Sequence, residues 1–263
     1  MNLEVLVSCM YQEDTSIIKK SNLQKVNSLI INQCDISEDK LVYIDEMHRM
    51  LNTGTRGLSV SRNIAILESI ADICVISDDD EIFIDDMPEI VIKEYEKESE
   101  ADIIIFNLSN RHQKLGNERK WLKRIELLRV ASWQITFRRN SVKNKVMFDV
   151  KLGAGTGNGG GEENKFLFDC YDKGLKILYV PIEIAEGIED NGSTWFFGYN
   201  DIYFYKLGGV LRYILGFSMG MAYSLYTIFS KINLYKRDIS VISALYNIMK
   251  GFFKNELSRE DKQ

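Results

Sequence analysis

Between Leu3 and Val180, short runs of β-forming apolar residues alternate with stretches whose apolar residues recur at helical spacing, and this alternation constrains the fold most. Leu3-Glu4-Val5-Leu6-Val7-Ser8 and Leu29-Ile30-Ile31-Asn32 read as buried parallel strands separated by a polar stretch that includes Ser16 to Lys25. Ser59 to Asn63 leads into Ile64, Ile66, Leu67 and Ile70, a helix followed by the strand Ile73-Cys74-Val75-Ile76 and then by Asp78-Asp79-Asp80. A second helix is expected from about Asp86 to Ser99, before the strand Ile103 to Phe106. A strand is expected from Ser132 to Arg139, a helix carrying Phe166, Leu167, Cys170 and Tyr171, and a last strand from Ile177 to Pro181. Such an order specifies an α/β fold with a mostly parallel sheet flanked by helices.

Charge excludes one function class and divides the chain. The 33 Lys and Arg against 38 Asp and Glu leave a net charge of −5, which gives no whole-chain reason to bind nucleic acid. Residues 206–254 nevertheless carry +6, from Lys206, Arg212, Lys231, Lys236, Arg237, Lys250 and Lys254 against Asp238, while residues 1–205 carry −10. We therefore expect an acidic body over 1–205 and a helical, apolar and basic segment over 206–263. Cys9, Cys34, Cys74 and Cys170 are too dispersed for a CxxC zinc site and read as core thiols of a reducing cytoplasm. The start Met1-Asn2-Leu3-Glu4 lacks the basic residues and long apolar run of a signal peptide, so the protein is expected to stay inside the cell.

Two acidic motifs carry the chemistry. Asp78 and Asp80, two apart at the end of a strand, offer hard oxygen ligands of the kind Mg²⁺ and Mn²⁺ prefer, whereas the bland alternative is a solvated acidic turn continued by Glu81. Their position at a strand's carboxyl end, where open α/β sheets bind ligands, favours the metal. Six glycines in the nine residues Gly153–Gly161 precede Glu162-Glu163, which opens a helix. Either glutamate is a candidate general base; the alternative is the ordinary acidic charge of a helix N-terminus.

Taken together, Gly57-Leu58-Ser59-Val60-Ser61-Arg62-Asn63, Ile76-Ser77-Asp78-Asp79-Asp80, Phe148-Asp149 with Leu152-Gly153-Ala154-Gly155, and Gly161-Glu162-Glu163 resemble, in order and spacing, the motifs of family 2 nucleotide-sugar glycosyltransferases. The resemblance covers roughly residues 3–200. It implies a GT-A-like sheet with a C-terminal helical extension and a metal-dependent, inverting transfer from a nucleotide-diphosphate sugar to a glycan or lipid-linked glycan in surface polysaccharide synthesis. On matching positions it implies that Asp80, with Asp78, holds Mn²⁺ or Mg²⁺, that Asp78 and Arg62 lie at the donor, and that Glu163 is the catalytic base with Glu162 before it. Gly161 falls in the acceptor-side block. Asn32 and Asp35 of Asn32-Gln33-Cys34-Asp35 stand where the family often has an aspartate pair, which the resemblance places at the donor, and Glu163 replaces its usual aspartate. No Gln-x-x-Arg-Trp motif of processive synthases occurs, which favours single additions. A sugar nucleotidyltransferase, or a silent glycan-binding or scaffold protein on the same fold, is the alternative.

Trp195, after Glu189-Asp190-Asn191-Gly192, is placed at the acceptor as a stacking lid or, equally, as a buried anchor. His48 and His112, the two histidines, are expected at the surface. Tyr213 to Ser230 is an uncharged 18-residue stretch interrupted by Gly216, Ser218, Gly220, Ser224 and Thr227, with basic residues after it and a second amphipathic pattern from Ile239 to Phe253. Peripheral contact with the inner face of the cell membrane is expected, ahead of packing on the catalytic domain or on another subunit of a homo-oligomer.

Overall fold

The computed structural model describes residues 1–110, 114–188 and 196–258. His112 and Trp195 therefore lie outside the described residues. The chain divides into two compact units, Met1–Asp149 with Glu163–Asp190, and Val150–Glu162 with Asn191–Gln263.

The first unit is built on a mixed sheet. In chain order its strands are β1 (Leu3–Met10), β2 (Asn27–Gln33), β3 (Lys40–Tyr43), β4 (His48–Thr53), β5 (Ile73–Asp78), β6 (Glu81–Phe83), β7 (Ile103–Leu108), β8 (Lys120–Trp121), β9 (Ile135–Arg138) and β10 (Ile177–Gly187). They lie side by side as β3-β4-β2-β1-β5-β9-β7-β10-β6, with β8 also against β10. β4, β2, β1 and β5 run parallel, with Val7 opposite both Ile30 and Ser77. β9 enters antiparallel between β5 and β7, and β6 pairs antiparallel with β10. Every residue of β1 except Met10 is buried, the pattern of a strand covered on both faces. Glu4 within it is tolerated because Arg49 of β4 pairs with it at 2.6 Å.

The helices are α1 (Ser16–Lys20), α2 (Leu58–Glu68), α3 (Met87–Lys97), α4 (Arg139–Val142), α5 (Glu162–Asp172), α6 (Asp201–Ser230), α7 (Ile232–Tyr235) and α8 (Val241–Lys254). The expected helix over 86–99 is α3, begun by Pro88 in its first turn. Against expectation, His48 is not at the surface. It is 3% exposed because β4 pairs in parallel with β2, which places the Ser28 hydroxyl 3.0 Å from Nδ1. Burial lowers its pKa, and the charge of Asp45 opposes that shift. Cys9, Cys74 and Cys170 are buried as expected, whereas Cys34 is half-exposed. Burial pushes the Cys9 and Cys74 thiols up to about 12, which leaves them protonated and inert.

In the second unit α6 is interrupted at Gly216, whose φ of 74° and ψ of −168° break one long helix into two. The uncharged stretch 213–230 runs across this break, and no helix among the described residues is long and apolar enough to cross a membrane. α6 packs on α8 through glycines: a Cβ on Gly208 would lie 1.9 Å from the Ile248 carbonyl oxygen, and one on Gly251 would lie 1.8 Å from that of Tyr205. Backbone cannot yield as a flexible side chain does. Gly208→Ala is therefore expected to destabilise this unit by about 2 kcal/mol or more, the scale of overpacking in a core. Gly209→Ala, whose Cβ would meet the nearest atom at 3.8 Å, should be neutral or stabilise by up to about 1 kcal/mol through helix propensity. Urea unfolding of the two variants checks this, and equal midpoints would contradict the close crossing.

Candidate active site

The Asp78-Asp79-Asp80-Glu81 turn joins the end of β5 to β6 and lies at the carboxyl edge of the parallel strands. Asp78 is 28% exposed and is gripped from α2 by Arg62, which is 1% exposed and donates from one nitrogen to both carboxylate oxygens at 2.8 and 3.1 Å. The Arg62 guanidinium also stands over the Phe148 ring, 5.4 Å from its centroid. Asn63 fixes Phe148 by a reciprocal pair of bonds, donating to its carbonyl at 2.8 Å and accepting from its N–H at 2.7 Å. The adjacent Arg62 and Asn63 thus tie the acidic strand end to the Phe148 block. This explains in physical terms why both residue types follow the glycine that opens α2.

Asp78, Asp80 and Glu81 form one cluster: one carboxylate oxygen from each lies within 4.8 Å of the others. The Asp80 carbonyl accepts from the Ile188 N–H at 2.7 Å, which pins the turn to the end of β10. Glu81 is not the continuation of a solvated turn. It is 2% exposed because its strand pairs with β10, with Gly187 opposite it. Neither of its carboxylate oxygens has a hydrogen-bond partner, and the nearby Ser77 hydroxyl donates instead to the Asp78 carbonyl at 2.9 Å. Burial, then the charge of Asp78, raise its pKa well above the usual carboxylate range; Asp80 adds to the rise, while the charge of Arg62 opposes it. The sequence offered no sign of this residue beyond its place after the aspartates.

A cavity of about 340 Å³ opens beyond the carboxyl ends of β1, β2 and β4, with Tyr11, Gln12, Asn32, Cys34, Ile36 and Asn52 among its lining residues. Asn32 is 1% exposed, and its amide serves the protein itself: it accepts from the Gln12 N–H at 2.9 Å and donates to the Gln12 carbonyl at 2.9 Å and to Asn52 at 2.8 Å. It thereby shapes the cavity by holding the loop after β1. Asp35 is exposed and pairs with Arg56, and it accepts from the Tyr11 hydroxyl at 3.3 Å. Tyr11 and Gln12, which line the cavity, were not singled out in the sequence, although they follow the first strand of a parallel sheet, at the edge where open α/β sheets bind ligands.

Glu162 and Glu163 occupy the first turn of α5, where the helix dipole favours negative charge; Glu162 is 6% exposed and Glu163 is half-buried. α5 is fixed by Asn164, which donates to the Leu127 and Val130 carbonyls at 2.9 and 3.1 Å. Phe166 stacks on Phe148 with ring centroids 4.2 Å apart. Phe148 therefore touches both the helix that carries Glu163 and the arginine that holds Asp78. The glycine-rich segment before α5 closes on itself: the Gly153 N–H donates to the Gly159 carbonyl at 2.9 Å and Thr156 caps Gly153 at 2.8 Å. Its glycines at 153, 155, 157, 159 and 161 all have positive φ, a path that side-chain-bearing residues rarely follow. Gly161 faces α6, and a Cβ there would come within 3.2 Å of Val210 and 3.1 Å of Ile214.

This architecture is a GT-A-like fold. The chain is similar to S. aureus TarS 1–349 in complex with UDP-GlcNAc at a TM-score of 0.63 and 12% identity, over 97% of this chain and 81% of that one. It is likewise similar to TarS 1–349 in complex with UDP, at a TM-score of 0.60 and 13% identity over 95% and 81% of the two chains. No family model and no curated protein matches the sequence.

Proposed function

We propose that the protein is an inverting, metal-dependent glycosyltransferase of the family 2, hexosyltransferase type, acting on a glycan or lipid-linked glycan in surface polysaccharide synthesis. The observation that carries this reading is the joint placement of the cavity and the carboxylate cluster at the carboxyl edge of one GT-A-like sheet. The nucleoside of the donor would occupy the cavity; the similarity of fold to TarS, solved in complex with UDP-GlcNAc and with UDP, supports a nucleotide-sugar donor. The cluster suits a hard divalent cation: its donors are carboxylate oxygens, and one of them is buried without a partner. Asp80 and Asp78 would hold Mn²⁺ or Mg²⁺, which when bound supplies charge neutralisation for the departing nucleoside diphosphate. Arg62 keeps the Asp78 carboxylate oriented. Glu163 would take the proton from the attacking sugar hydroxyl on its carboxylate, and direct attack inverts the anomeric centre.

A panel of nucleotide sugars incubated with the protein and Mn²⁺ tests the reading by its coproduct. Release of nucleoside diphosphate supports it, whereas pyrophosphate would indicate a sugar nucleotidyltransferase. Inertness toward every donor would indicate a silent glycan-binding protein.

Contact with an anionic membrane through residues 206–254 would bring the enzyme to a lipid-linked acceptor. Phe217, Tyr226, Phe229, Ile242, Tyr246 and Phe253 of α6 and α8 are exposed, and this region carries +6. Each basic side chain near an anionic surface contributes about 1 kcal/mol, a salt-sensitive term, while apolar insertion is not screened. The full chain should therefore sediment with anionic liposomes at low salt and in part at high salt. Its remaining in the supernatant throughout would remove the membrane from the account.

A further inference from the structure

Glu81 is a buried carboxylate that the protein does not satisfy. It is 2% exposed, neither oxygen has a hydrogen-bond partner, and no Lys or Arg forms an ion pair with it among the described residues. A buried acid in this state is expensive, and a leucine in a three-residue strand against β10 would avoid the expense. Its neighbour Asp78 shows what satisfaction looks like here, with two bonds from Arg62. What Glu81 does face is Asp78 and Asp80, with one oxygen from each residue inside a 4.8 Å span. Oxygens around an octahedral Mg²⁺-sized ion at about 2.1 Å stand about 3 Å apart when adjacent and about 4.2 Å when opposite, so a small inward adjustment of the three side chains brings their oxygens into one coordination sphere.

We infer that Glu81 is a third protein ligand of the cation site, entering from the buried side of the turn, and that with it the site retains a divalent cation before any nucleotide arrives. This rests on the reading of Asp78 and Asp80 as cation ligands. The inner carboxylate compensates for the exposure of Asp78, and its own desolvation is repaid by the cation. Because β6 is clamped by β10, with Phe83 opposite Ala185 and Glu81 opposite Gly187, the ligand is held by the sheet and not by a loop.

Mn²⁺ binding to the full chain without nucleotide, followed by calorimetry and by the electron paramagnetic resonance signal of free Mn²⁺, tests the inference. Wild type should bind one Mn²⁺, and Glu81→Gln, isosteric and uncharged, should weaken binding at least tenfold. The same substitution should hold or raise the metal-free melting temperature, because a buried acid has been removed, and should abolish the further rise that Mn²⁺ gives wild type. Glu81→Asp, which keeps the charge but withdraws it by one methylene, should fall between, and it carries the test if the glutamine variant does not fold. Wild-type affinity in both variants, with Asp80→Ala weakened, would overturn the role of Glu81 while leaving the cation site. No binding by wild type without nucleotide would overturn the inference as well. No binding even with a nucleoside diphosphate present would overturn the cation site itself.

Discussion

Asp80→Ala should abolish sugar transfer, with turnover falling at least about a thousandfold and the Mn²⁺-dependent part of donor binding lost. In the proposed reaction the departing group would be a nucleoside diphosphate, whose negative charge grows as the glycosidic bond breaks. A bound divalent cation is worth several kcal/mol at that moment, and about 4 kcal/mol corresponds to about a thousandfold in rate. Asp80 sits in a turn whose backbone is pinned by Ile188, so its truncation should remove a ligand without releasing the strand end. Calorimetry with a nucleoside diphosphate, with and without Mn²⁺, separates the loss of the cation from misfolding. A folded variant with unchanged affinity and turnover would remove Asp80 from the metal site.

Glu163→Gln should leave donor binding intact and lower turnover by about 10²-fold or more, because the amide keeps the shape of the side chain but cannot accept the acceptor's proton. Glu162→Gln should do less, since Glu162 is 6% exposed whereas Glu163 is more open to a substrate. Steady-state kinetics on both variants, with donor affinity measured separately, decides between them. The reverse order would assign the base to Glu162.

The parallel strands were legible because a strand buried on both faces reads as an uninterrupted apolar run, as in Leu29-Ile30-Ile31 and Ile103-Ile104-Ile105. β3 and β4 were not. Lys40–Tyr43 is a mostly exposed edge strand, and His48-Arg49 is polar in sequence but buried in the fold because Ser28 and Glu4 meet it from strands far away in the chain. Asp78 and Asp80 stand out in the sequence as candidate ligands by their spacing at a strand end, and the glycines mark Glu162-Glu163 as a pair in which the family resemblance alone singles out Glu163. Glu81 was not recognisable, since only its pairing with Gly187, about a hundred residues later, takes it out of solvent. The role of Asn63 was hidden in the same way, because its partner Phe148 is distant in sequence and the bonds are to backbone.

The proposed chemistry is tested most directly by following the products of one turnover with the donor that the nucleotide-sugar panel identifies, by proton NMR of the anomeric signal together with nucleotide analysis. The account requires one nucleoside diphosphate per sugar transferred and an anomeric configuration opposite to that of the donor, both dependent on Mn²⁺ or Mg²⁺ and both lost in Asp80→Ala. Retention of configuration, release of pyrophosphate, or full transfer by Asp80→Ala would contradict it.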